Sequence, residues 1–219
     1  MPPKSQRRAP SSSSGGLANT YLLAYNLVSA VAWASVFARV VHLAAKEGVQ
    51  NGRVYEQTER YARLVQTGAV LEVVHSLVGL VRAPLLTTLM QVASRLLLVW
   101  GVGYHFPETT RDSPAYASML VAWSVTEVVR YSYFVFVLSG QGVPRLWTWL
   151  RYNTFFVLYP LGVASETWLI YKAIGPAEKR NEYLAYGLWA VLATYVPGFY
   201  TLFTHMLRQR SKVVGKKRV

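Results

Sequence analysis

The chain has 219 residues, 53% of them hydrophobic and 15% charged, with a formal net charge of +13 and no cysteine. Without cysteine there are no disulfides, no thiolate zinc or iron–sulfur ligands, and no cysteine-nucleophile hydrolase or phosphatase. The apolar residues fall in long runs, so the positive charge is read as membrane topology and not as a nucleic-acid footprint.

Residues 1–16, MPPKSQRRAPSSSSGG, are rich in Pro, Ser, Gly and basic side chains and are predicted to be a disordered basic tail. The first apolar run, Tyr21–Leu43, is too long for a signal peptide and lacks a small-residue cleavage site, so it reads as a retained membrane helix. Further apolar runs lie near Thr67–Val81 with its flanks, Leu85–His105, Pro114–Leu138, Leu146–Ile174 and Tyr183–Met206. Each approaches or exceeds the roughly 20 residues that a helix needs to cross a bilayer. The second is the weakest, because Glu72 and His75 interrupt it. Before it, the polar stretch Lys46–Gln66 contains EQTERYARL, which reads as an amphipathic helix leading into the membrane. The expected fold is all-α, a polytopic integral membrane protein built as a bundle of six transmembrane helices over residues 17–207, followed by a basic tail, 208–219.

Topology follows from the distribution of Lys and Arg. Lys4, Arg7 and Arg8, the turn residues Arg82, Arg145 and Arg151, and six residues after the last span place twelve on one side. The opposite side has eight, which favours both termini in the cytoplasm. The chain ends in KKRV, a dilysine-type pattern that addresses membrane proteins to the endoplasmic reticulum and requires a cytoplasmic C-terminus.

Ionisable groups inside apolar runs mark function or interhelical ties. Here they are Glu72 and His75, Arg95, Glu127 and Arg130, and Glu166. Glu127 and Arg130 are three apart and share a helix face, so they can pair; a structural tie and a functional role are both open for them. Gln91 and Arg95 form a second polar stripe at i, i+4, with Arg95 a partner for Glu72 or Glu166. Glu72-x-x-His75 is half of a carboxylate–histidine metal motif, but His42, His105 and His205 have no glutamate three residues before them. A di-iron bundle needs the motif twice, so no metal is expected, and His75 is expected to hydrogen-bond within the bundle.

The segment LYPLGVASE carries Tyr159 and Glu166 seven residues apart. Seven helical residues turn about 700°, so phenol and carboxyl lie on one stripe, two turns apart. Between them Pro160 removes a backbone donor and Gly162 leaves a gap on the helix surface. Measured from Leu146, Tyr159 is about 20 Å along its helix, too deep for an interfacial belt, whereas Tyr152 and Tyr131 suit one. By residue chemistry alone the pair serves either catalysis or proton transport.

The segments LEVVHSLVGLVRAP, MQVASRLLLVWGV, AWSVTEVVRYSYF and LRYNTFFVLYPLGVASE resemble the 3-hydroxyacyl-CoA dehydratases of very-long-chain fatty acid elongation. This family was formerly called protein tyrosine phosphatase-like, and the resemblance is nearest to its plant Pasticcino branch. It runs from about Thr20 to the C-terminus, with divergence in the N-terminal tail and the Gly175–Glu182 loop. It implies catalytic roles for Tyr159 and Glu166, a required glycine at Gly162, and supporting roles for Gln91, Arg95, Glu127, Arg130 and Arg151. The implied reaction removes water from a (3R)-3-hydroxyacyl-CoA to give a trans-2-enoyl-CoA, the third step of a four-step cycle. Glu166 would be the base at C2 and Tyr159 the proton donor to the departing hydroxyl. The reverse assignment, with a tyrosinate as base, needs a phenol pKa lowered far below its usual value near 10, which Arg95 or Arg130 could supply. Arg82, Arg145 and Arg151 are candidates to receive the CoA phosphates. Elimination needs no cofactor, and the expected partners are the acyl-CoA, membrane lipid and the condensing, ketoacyl-reducing and enoyl-reducing enzymes of the cycle. A non-catalytic membrane scaffold for those enzymes is the alternative, and a transporter a third.

Overall fold

In the computed structural model, which describes residues 13–215, the regular structure is helical. Helix α1 (Ser13–Glu47) runs without a proline, and α2 (Arg53–Thr67) follows after a tight turn. That turn requires Gly52: its φ is +74°, and a Cβ there would lie 2.6 Å from Arg111 Nε. Helix α2 buries Val54, Thr58, Ala62 and Gln66, an i, i+4 stripe that makes it the amphipathic helix expected from the sequence. Helix α3 (Val70–Leu77) continues from it through Gly68 and Ala69, both in right-handed helical conformation.

Helix α4 (Leu85–Leu96) starts after Pro84 and passes into a π-helical segment, Leu97–Tyr104. A short turn of helix, α5 (Pro107–Thr110), leads to α6 (Pro114–Ser139), which has Pro in its first turn and ends at Gly140 with φ +72°. These are the preferred start and stop residues of a helix. Helices α7 (Arg145–Asn153), α8 (Phe155–Arg180) and α9 (Glu182–Gly215) complete the chain.

Helix α6 is the axis of the assembly. It packs against α1 on one side and α8 on the other, and α9 lies against α8. Trp33, Val36 and Val40 of α1 meet Met119, Leu120 and Trp123 of α6 and Leu169, Ile170 and Ala173 of α8 in one apolar core. Outward faces are apolar too: Leu77, Leu86, Met90, Val157, Trp168 and Val196 are all exposed. A surface of that kind suits a lipid solvent. Three helical stretches are long and apolar enough to cross a membrane, Gly16–Glu47, Leu85–Tyr104 and Pro114–Ser139. The chain is a membrane protein of the all-α class.

Several boundaries differ from the sequence reading. The run Leu146–Ile174 is divided at Thr154 into α7 and α8, with Thr154 itself in right-handed helical conformation. Tyr159 is in the second turn of α8. The second run yields only the eight-residue α3. Helices α8 and α9 are long, but Pro160, Pro176 and Pro197 and many Tyr and Trp side chains lower their hydropathy. The Gly175–Glu182 loop shrinks to Asn181, since α8 accommodates Pro176 and runs on to Arg180. Ser13–Gly16, assigned to the tail, are the first turn of α1, and the C-terminal tail is helical to Gly215. Residues 1–12 and the terminal KKRV lie outside the described residues.

Candidate active site

Glu166 projects from α8 towards both neighbouring helices. Its Oε1 accepts a hydrogen bond from the Trp123 indole of α6 at 2.7 Å, and its Oε2 accepts one from the Tyr195 hydroxyl of α9 at 2.8 Å. Each carboxylate oxygen thus has a donor on a different helix. Gly162, one turn earlier on α8, is buried, and a Cβ there would be 3.7 Å from both Glu166 Oε1 and Ala122 Cβ. The glycine leaves the carboxylate room to lie against α6. Ser165, beside it in sequence, bonds Ser118 of α6 at 2.8 Å and holds the same two helices together.

Tyr159 lies on the α8 stripe that Glu166 occupies two turns later. Its ring stacks on Phe199 of α9, with centroids 5.2 Å apart and planes 13° from parallel, and Phe203 continues the stack. Tyr195, Phe199 and Phe203 are spaced by four, so one face of α9 meets both members of the pair. Along a straight helix the two Cα atoms of the pair are about 10.5 Å apart.

Beside this pair runs a charged network. Glu127 of α6 is buried, with Arg95 of α4 bonded to its Oε1 and Arg130 of α6 to its Oε2, the latter at 2.6 Å. Arg130 then grips Glu72 of α3 with both terminal nitrogens, at 2.9 and 2.6 Å. Tyr131 also donates to Glu72. Two carboxylates and two guanidinium groups balance in charge, and mutual hydrogen bonding offsets their desolvation. The network touches the pair at one point, where the Arg95 guanidinium sits 5.1 Å over the Trp123 ring that donates to Glu166. Trp33 of α1 backs the same indole edge-on at 6.5 Å.

The Glu127–Arg130 pairing follows the sequence spacing, and His75 bonds Tyr21 of α1 at 2.8 Å, within the bundle as expected. Arg95 does not neutralise Glu72 or Glu166 by direct pairing: α4 meets α6 at Glu127, and Arg130 is the residue that reaches α3. Tyr131 is not a belt residue; only 2% exposed, it belongs to the charged network. Gln91 is exposed on α4 and, among the described residues, its side chain bonds none of the network. Arg151 also stands apart, its guanidinium 4.5 Å over Tyr133 and 5.1 Å over Phe134. Arg82 and Arg145 are exposed.

Trp123 and Tyr195 are missing from the residues singled out by sequence. Trp123 had a detectable signal, since it stands four residues before Glu127 on the same polar stripe of α6. Tyr195 had none: it is one of fifteen tyrosines, and only the packing of α9 on α8 brings it to Glu166.

A carboxylate held by two donors, with a phenol two turns away and a neutralised ion network behind it, is an arrangement for acid–base chemistry in an apolar setting. The chain belongs to the protein tyrosine phosphatase-like protein family, PTPLA, whose profile matches residues 66–216. It is similar to a probable very-long-chain (3R)-3-hydroxyacyl-CoA dehydratase of Schizosaccharomyces pombe, 44% identical over 88% of this chain and 92% of the relative. A Caenorhabditis elegans very-long-chain (3R)-3-hydroxyacyl-CoA dehydratase is 37% identical over 90% of this chain and 95% of its own. The Arabidopsis thaliana dehydratase PASTICCINO 2 is 39% identical over 90% of this chain and 94% of its own. No solved structure matches this chain.

Proposed function

We propose that this protein is a very-long-chain (3R)-3-hydroxyacyl-CoA dehydratase. The observation that carries this reading is near-full-length similarity to proteins bearing that name, 37–44% identical in the Schizosaccharomyces and Caenorhabditis cases. The site supports it, because elimination of water next to a thioester needs a base and an acid and no redox group. Glu166 takes the proton from C2, which the thioester carbonyl acidifies. The C2–H electron pair becomes the C2=C3 double bond. The C3–O bond breaks, and Tyr159 gives its proton to the leaving hydroxyl, which departs as water. The carboxyl proton of Glu166 and the Tyr159 phenolate then return to their starting forms by proton exchange.

The separation of the pair sets the substrate pose. C2 and C3 are bonded neighbours while the pair is two turns apart, so the reach of the Tyr159 ring or a water relay must close the gap, with the acyl chain towards lipid. Stacking on Phe199 fixes the plane of the Tyr159 ring. At the chain's other end, CoA phosphates meet Arg82, Arg145 and Arg151. Arg210 joins them: its Nε donates to Asn153 Oδ1 at 3.1 Å beside Arg151 in α7. The six-span arrangement has α2 with α3, and α8 and α9, as the remaining crossings. Both termini are cytoplasmic, and the membrane is that of the endoplasmic reticulum, where the other enzymes of the elongation cycle are partners.

The test is dehydration of a long-chain (3R)-3-hydroxyacyl-CoA by purified protein in detergent. Wild type turns over, and Glu166→Gln and Tyr159→Phe each lose about 10²–10⁴-fold, the usual contribution of a positioned acid or base. Unimpaired turnover in Glu166→Gln removes Glu166 from the chemistry, and an inactive, folded wild type refutes the enzyme.

A further inference from the structure

Two features of the Glu166 carboxylate are not explained by its being a base. Both oxygens are already occupied by protein donors, and the donors come from two different helices, α6 and α9. A base with a freely rotating carboxyl would sample many orientations of its lone pairs. One held from two directions keeps its remaining lone pairs aimed at a single place.

We propose that Tyr195, together with Trp123, is a positioning residue of the dehydratase site, fixing the Glu166 carboxylate in the orientation from which it takes the C2 proton. The inference rests on the proposed function for the reaction but on geometry for the contact. Trp123 is suited to the task because it is itself immobile. It is 3% exposed, with Trp33 packed edge-on and Arg95 over its ring. Arg95 is held in turn by Glu127. Tyr195 is suited because its helix also carries Phe199 and Phe203 against Tyr159. One face of α9 therefore sets the orientation of the acid and of the base together, and a shift of α9 would disturb both. Hydrogen bonds from neutral donors to an ionised acceptor are stronger than those between neutral groups, so both contacts favour the form of Glu166 that the reaction starts from.

The experiment compares Tyr195→Phe and Trp123→Phe with wild type and with Glu166→Gln in detergent, using the same acyl-CoA. Tyr195→Phe keeps the ring and loses only the hydroxyl, so the helix packing remains. Its kcat falls about tenfold or more, in keeping with the loss of a hydrogen bond to a charged group, while KM changes less than about threefold. The double variant Tyr195→Phe/Glu166→Gln is no slower than Glu166→Gln alone, because Tyr195 acts only through Glu166. A purely structural tyrosine would instead slow both backgrounds equally. The infrared carboxyl band that disappears in Glu166→Gln gives a readout independent of turnover, and it shifts in Tyr195→Phe. A kcat within twofold of wild type, an additive double variant, or an unmoved carboxyl band each overturns the proposal. If wild type shows no dehydration, the reading of the function fails, while the carboxyl band still decides whether Tyr195 holds Glu166.

Discussion

Gly162 shows how far one residue sets this site. Its missing side chain is the space between the Glu166 carboxylate and Ala122 of α6, each 3.7 Å from where a Cβ would be. One methyl fits at ordinary contact distance; a branched side chain does not. Gly162→Ala is expected to fold, with activity within about tenfold of wild type, whereas Gly162→Val pushes Glu166 away from Trp123. Overpacking of this kind typically costs about 1–3 kcal/mol, so Gly162→Val should lower both turnover and the thermal midpoint in detergent. Equal behaviour of the two variants would mean that the gap serves the passage of substrate and not the seat of the carboxylate. The spacing of Tyr159, Gly162 and Glu166 was visible in the sequence because all three lie on one helix. Their donors were not, because Trp123 and Tyr195 come from two other helices.

At the scale of elements, the ion network ties α3, α4 and α6 into one block. Glu127 is its centre, with an arginine on each oxygen, and Arg130 passes the link on to Glu72. Removing one partner of a buried pair leaves the other uncompensated, at about 3–5 kcal/mol. Glu127→Ala, which strands the Arg95 guanidinium and leaves Arg130 with Glu72 alone, is expected to lower the thermal midpoint more than Glu166→Gln does, measured by unfolding in detergent. A small loss for Glu127→Ala would show that water or lipid phosphate reaches the arginines. The Glu127–Arg130 part of this block follows from i, i+3 spacing. The partners of Arg95 and Glu72 could not be read, since pairing across helices depends on which faces meet. Element boundaries failed where local chemistry competes with packing. Pro176, read as a loop residue, is absorbed into a helix.

At the scale of the whole molecule, the proposed topology can be tested directly. The proposed six crossings would put the turns after α3 and α6 on one side of the membrane and the α1–α2 turn, the α5 region and Asn181 on the other. The lack of native cysteine permits single-cysteine mapping. A cysteine at Gln141 should react with an impermeant maleimide in sealed microsomes, and one at Asn181 only after permeabilisation; the opposite pattern would invert the proposed topology. The sequence by itself determined the all-helical membrane class, the family, and the Tyr159–Glu166 stripe, because hydropathy and i, i+4 or i, i+7 spacing are properties of single helices. Only the tertiary structure decided that Trp123 and Tyr195 bond Glu166, that Arg95 pairs with Glu127, and that one face of α9 meets both Tyr159 and Glu166. Those contacts depend on the rotation and depth at which α4, α6, α8 and α9 pack, which no local pattern encodes.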